Sequence, residues 1–146
     1  MLQARVFALA LLASTAATAQ QAPFGTPADV RKFSDAVMTL VGNGKYEDAW
    51  KRMRLATIIP SAEFDAFAAQ FASQAPAVTP RYGKVVGHEY IRDQQVGTSL
   101  LRFQYIVKYE RAAMRWNLIY YRSANGWVLT DFKFDGNVNA LFPGEA

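Results

Sequence analysis

No cysteine occurs in the 146-residue chain, and histidine occurs once, as His88. Their scarcity excludes disulfide frameworks, thiolate metal sites, thiol nucleophiles and any centre that needs two imidazoles. Charge is sparse too, at 19% of residues, while aromatics reach 14%, so the chain has enough apolar bulk to fold. Beyond the first 20 residues no apolar run approaches the roughly 18 residues of a membrane-spanning helix. The 16 Lys+Arg against 12 Asp+Glu leave a small basic excess, and the basic residues stand singly among acids rather than in a patch. Nucleic acid is therefore not an expected partner. A glycine-rich phosphate loop is lacking as well, because Gly42-Asn43-Gly44 reads as a helix stop.

What is present begins with an address. Arg5 supplies a positive start, Val6 to Ala13 an apolar stretch, and Ala17-Thr18-Ala19 an A-x-A cleavage pattern. Residues 1–19 are expected to be a signal peptide cut after Ala19, with a periplasmic or secreted product. The apolar stretch is about half of what a bilayer span needs, and no integral membrane segment is expected after removal.

Residues 20–25 form a polar lead-in, and residues 26–146 are expected to be one α+β domain, with helices over about 26–74 and a sheet over about 83–135. Thr26 can cap a helix with Pro27 at its first position and Asp29 in its first turn, and Val30, Phe33, Val37, Leu40 and Val41 recur at helical spacing. A second helix, near Lys45 to Leu55, puts Tyr46, Ala49, Trp50 and Met53 on one stripe. A third follows Pro60 with Ser61 as its cap and carries Phe64, Phe67, Ala68 and Phe71. Gln74 to Pro80, with two prolines, reads as a linker.

After Gly83 the period changes to two and four strands are expected. The first, Lys84 to Arg92, leaves its inward face open, because Val85 and Ile91 compete with Val86, His88 and Tyr90. A two-residue turn at Arg111-Ala112 would pair Tyr109 with Met114 and Val107 with Trp116. For the last hairpin, a two-residue Asn-Gly turn would put Asp131 and Lys133 beside Tyr120 and Leu118. A three-residue loop ending at Gly126 instead aligns Leu118 with Phe132, Trp116 with Phe134 and Arg115 with Asp135, and is preferred. Tyr105, Tyr109, Trp116, Tyr120, Phe132 and Phe134 then share an inner face that the helices cover, while Ile119, Tyr121, Trp127 and Leu129 gather outside as a candidate interface.

Helices followed by a meander of long aromatic strands, with Tyr105-Ile106-Val107-Lys108-Tyr109-Glu110, Arg115-Trp116, Gly126-Trp127-Val128-Leu129 and Phe132-Lys133-Phe134-Asp135, resemble the nuclear transport factor two-like (cystatin-like) superfamily, and more narrowly its small exported bacterial members. The resemblance covers about Val30 to Phe142. It implies a cone-like α+β fold with helices packed on a curved four-stranded antiparallel sheet, and members that often dimerise through the outer sheet face. The superfamily includes isomerases, epoxide hydrolases, dehydratases, carrier modules and dimerisation modules, so the fold alone does not choose a function.

The enzymes of that superfamily hold a carboxylate or histidine inside the cone. Here strands two to four place neither on the inner face, which leaves His88 as the sole candidate general base. Asp131, Asp135 and Asn137 lack the spacing of a calcium loop, so no metal is expected, and no motif calls for a cofactor. Two functions compete. One is an exported noncatalytic binding or assembly module, taking a small apolar ligand on Tyr90, Tyr105, Tyr109, Trp116 and Tyr120 or pairing as a homodimer through the outer face. The other is a small isomerase- or hydrolase-type enzyme with a cone-shaped apolar pocket.

Overall fold

Thr26 opens the first helix, α1 (Pro27–Gly42), with a reciprocal cap: its Oγ1 accepts the Asp29 N–H at 3.2 Å, and the Asp29 carboxylate accepts the Thr26 N–H at 3.0 Å. These bonds satisfy donors that a helix start leaves without partners. The computed structural model describes residues 24–144. The expected leader and its cut after Ala19 lie outside the described residues, as does most of the lead-in. Val30, Phe33, Val37, Met38 and Val41 form the buried stripe of α1.

The second helix, α2 (Tyr46–Arg54), buries Ala49, Trp50 and Met53, and its charges oppose its dipole: Glu47 and Asp48 open it, and Lys51, Arg52 and Arg54 close it. The third, α3 (Ser61–Tyr82), departs from expectation at both ends. Pro60 occupies the cap and Ser61 is the first helical residue, without a side-chain capping bond. The helix also runs straight through Pro76 and Pro80, where a linker was expected. Each proline removes one backbone donor, at a cost of about 3 kcal/mol in a helix interior. Tertiary anchoring offsets this: Val78 and Tyr82 pack on the core, and the Arg111 N–H reaches the Tyr82 carbonyl at 3.0 Å. No helix among the described residues is long and apolar enough to cross a membrane.

Four strands follow, β1 (Val85–Val96), β2 (Leu100–Tyr109), β3 (Ala113–Ser123) and β4 (Gly126–Asp135), antiparallel and in the order β1-β2-β3-β4. The chain is thus an α+β fold of three helices and a four-stranded meander, ending in a short turn of 3-10 helix at Val138–Leu141 that lies against β3.

Register corrects the hairpin readings in detail while keeping their faces. Across β2 and β3, Val107 faces Met114 and Tyr105 faces Trp116, so the turn is Glu110-Arg111, one residue earlier than expected. Moving the turn by one shifts the pairing by two and leaves every side chain on its expected face. The loop is held there by α3 and β1: the Glu110 carboxylate accepts the Lys84 N–H at 3.1 Å, and the Arg111 guanidinium reaches the Pro80 carbonyl at 2.9 Å. Leu118 pairs with Phe132, Trp116 with Phe134 and Arg115 with Asp135, as expected. Yet the turn itself has only two residues, with Ser123 opposite Gly126, and the third enters as a bulge that leaves Thr130 unpaired between Ile119 and Tyr120.

That bulge overturns the expected outer patch. Past it Tyr120 faces Leu129, which puts Leu129 on the inner side, fully buried, while Trp127 is 3% exposed. The far edge of β4 is covered as well. Phe24 and Trp127 exchange two backbone hydrogen bonds of 2.8 Å, and Leu129 pairs with the segment between α2 and α3 through the Ala56 carbonyl and the Ile58 N–H. Bulges also explain the ambiguous first strand. Val85 faces inward opposite Tyr109, the register then slips at Val86, and His88 and Tyr90 take the inward positions opposite Val107 and Tyr105. A second slip leaves Ile91 unpaired.

Candidate functional site

The inner face of the sheet is a filled core. Tyr105, Tyr120 and Trp116 are buried under α1 and α2, with Trp116 stacked between Phe134 at 4.7 Å and Trp50 at 5.8 Å. The two tyrosine hydroxyls are taken up by α1: Tyr105 donates to the Asp35 carboxylate at 2.8 Å, and Tyr120 lies 2.8 Å from Ser34 Oγ. Burial first, and the Asp35 carboxylate for Tyr105, push both phenols well above their usual range, so neither ionises at physiological pH. Tyr90 lies at the rim, its ring 3.3 Å beneath the Arg31 guanidinium and its hydroxyl donating to Asp93. Arg31 in turn grips Asp35 with its Nε at 2.8 and 2.9 Å from the two carboxylate oxygens. These residues hold α1 to β1 and β2.

His88 faces inward but is packed rather than presented. A Cβ on Gly42 would lie 2.7 Å from its Nδ1, so α1 ends directly on the imidazole. Burial lowers the His88 pKa from 6.5, Asp35 opposes that shift and Lys108 adds to it. The imidazole is therefore neutral at pH 7.

Space opens elsewhere, between the C-terminal half of α3 and the sheet. Phe64 and Phe67 pack α3 onto Phe132, with Phe67 at 4.6 Å, and Arg111 holds the other end through the Pro80 and Tyr82 carbonyls. Between these two anchorages lies a cleft of about 170 Å³, walled by Phe71, Ala75, Val78, Val85, Met114 and Phe134. Its polar groups are Gln74, Thr79 and the phenols of Tyr46 and Tyr109, whose hydroxyls are 3.1 Å apart. Burial and the Tyr46 hydrogen bond push the Tyr109 phenol well above its usual range. A broader surface groove of about 710 Å³ runs between α2 and α3 and shares Tyr46, Phe71 and Ala75 with the cleft.

Of the five residues expected to hold a ligand, Tyr109 alone lines this cleft; Tyr90, Tyr105, Trp116 and Tyr120 belong to the core or the α1 contact. His88 does not line it either. Of the expected interface, Trp127 and Leu129 are buried, while Ile119 and Tyr121 stay outside. Sequence reasoning missed the cleft because its α3 wall was read as a linker. Tyr46, Phe71, Val85, Met114 and Phe134 carry apolar periodicity that core and cleft residues share. Among the described residues no group of three or more His, Cys, Asp or Glu could hold a metal ion.

No family model matches the chain, and no curated protein matches it. Among solved structures it is similar to a Campylobacter jejuni protein named as a putative NTF2-like transpeptidase, at 14% identity and a TM-score of 0.44, over 73% of this chain and 99% of that one.

Proposed function

We propose that this chain is an exported, noncatalytic binding module that takes a small apolar molecule into the cleft between α3 and the sheet. Export rests on the leader pattern of residues 1–19; the mass of the protein recovered from the cell envelope tests it, and a retained Met1 defeats it. The observation that carries the binding reading is the cleft itself, apolar on most sides and about 170 Å³ in volume. An apolar cavity of about 150 Å³ in another protein accepts benzene, which sets the size class of the guest. Binding is favoured over the isomerase or hydrolase alternative because no carboxylate or imidazole among the described residues lines the cleft, and its Tyr109 phenol is held protonated. Titration with toluene followed by methyl resonances of Val78, Val85 and Met114 tests the reading. Shifts confined to these methyls, and lost in Val78→Trp, are expected; unmoved methyls would overturn it.

A second reading, self-association through the outer face, keeps one support. Val96, Leu100 and Tyr121 are neighbours across three strands and are 67%, 39% and 46% exposed. Sedimentation of the wild type and of Tyr121→Glu tests it, and a monomeric wild type ends it.

A further inference from the structure

We infer that the Tyr46–Tyr109 pair selects, among small apolar guests, those that carry one hydrogen-bond acceptor such as a carbonyl oxygen. This rests on the cleft's being the binding site and adds the chemistry of its occupant. Two phenols carry two hydroxyl protons, and the 3.1 Å contact between them uses one. Whichever tyrosine donates, the other keeps a proton with no use inside the pair. Both residues line the cleft, so the surplus donor belongs to its wall. Because burial holds Tyr109 protonated across physiological pH, the surplus does not titrate away.

The surroundings narrow the match further. Phe71, Val78, Val85, Met114 and Phe134 supply the apolar walls, and no cationic side chain among the described residues lines the cleft. A carboxylate guest would have to shed its hydration with no opposite charge to receive it, which is costly. A fully apolar guest would displace water from the surplus phenol proton and bring no acceptor of its own. A neutral molecule with one acceptor avoids both penalties: its body meets the walls and its oxygen takes the proton. The oxygen need only sit about 2.7 to 2.8 Å from a phenol oxygen, an ordinary O–H···O separation.

Acetophenone and α-methylstyrene test this as a matched pair, since they differ in a carbonyl oxygen against a methylene of similar shape. Binding of each is followed by titration of the Val78, Val85 and Met114 methyls in the wild type and in the double variant Tyr46→Phe/Tyr109→Phe. The double variant is required, because either tyrosine alone still offers a donor; removing both hydroxyls together also leaves neither partner stranded, so the fold is retained. Acetophenone is expected to bind the wild type roughly threefold to tenfold more tightly than α-methylstyrene, the ratio of one neutral hydrogen bond, and equally in the double variant. Equal affinities in the wild type would overturn the selectivity while leaving the cleft as a binding site. A preference that survives in the double variant would overturn its assignment to the tyrosines. Failure of both compounds to move the methyls would overturn the cleft reading itself.

Discussion

The Tyr120 hydroxyl donates to Ser34 Oγ, 2.8 Å away and 86 residues distant in the chain. The direction follows because the single Ser34 hydroxyl proton is committed to the Val30 carbonyl at 2.9 Å, one turn back along α1. Both residues are fully buried, so this relay fastens α1 to β3 where water cannot substitute.

An asymmetry between two single variants follows. Ser34→Ala strands a buried phenol donor and is expected to cost about 1–3 kcal/mol, whereas Tyr120→Phe leaves Ser34 bonded to Val30 and is expected to cost about 0.5–1.5 kcal/mol. Urea melts of the two variants check the order; a larger loss in Tyr120→Phe would reverse the assigned direction.

Gly42 is the point where α1 meets β1. A methyl group there would approach His88 Nδ1 at 2.7 Å, the His88 backbone nitrogen at 3.0 Å and the Gly87 carbonyl carbon at 3.1 Å. Gly42→Ala is expected to destabilise by about 1–3 kcal/mol, the usual range for overpacking. Adding His88→Ala should restore only part of the loss, since two of the three obstructions are backbone. Thermal melts of the single and double variants decide the matter, and full restoration would show the side chain to be the whole obstacle.

Trp116→Ala is expected to cost about 3–5 kcal/mol, as befits a large aromatic that is 1% exposed between two stacked rings. Arg115→Ala should cost less, about 1–3 kcal/mol, although more than an exposed ion pair. Its side chain is only 15% exposed and donates to Asp135 at 2.7 Å. Equal losses in denaturant melts would contradict the register of β3.

His88 supplies a pH dependence. Burial lowers its pKa in the folded chain below the 6.5 of a free imidazole, so the unfolded chain takes up its proton first as pH falls. Its contribution to stability is therefore complete above pH 6.5 and is lost as pH drops through the folded value. Melting curves from pH 8 to pH 5 should show a shallower acid-side decline in His88→Gln than in the wild type. A steeper decline in the variant would mean that Asp35 governs the imidazole after all.

Much of this architecture was legible in residue spacing, and the misses share a cause. Thr26, Pro27 and Asp29 announced α1 because capping chemistry is local. The pairing of Trp116 with Phe134 was also readable, since burial rejects every register that places Lys133 inside. Bulges at Val86 and Thr130 were invisible. They reverse the inward parity of a strand, at Thr130 with no marking residue and at Val86 beside Gly87, whose φ of 146° only the fold reveals, which misplaced Leu129 and left His88 undecided. The continuation of α3 through Pro76 and Pro80 was hidden for a different reason. It depends on Arg111 holding the Pro80 and Tyr82 carbonyls at the far end, contacts between residues that no local window joins.

The bridge between Phe24 and Trp127 bears on how the chain behaves in company. A β-strand with bare backbone along its outer side is a template on which a neighbouring molecule can assemble, and β4 is relieved of that hazard by two short covers, one of them only three residues ahead of α1. Trimming the chain past Phe24 would strip the amide and carbonyl of Trp127 of their partners at 2.8 Å. The first visible consequence of such a cut would be clumping of otherwise folded molecules, arising well before any loss of helix or core.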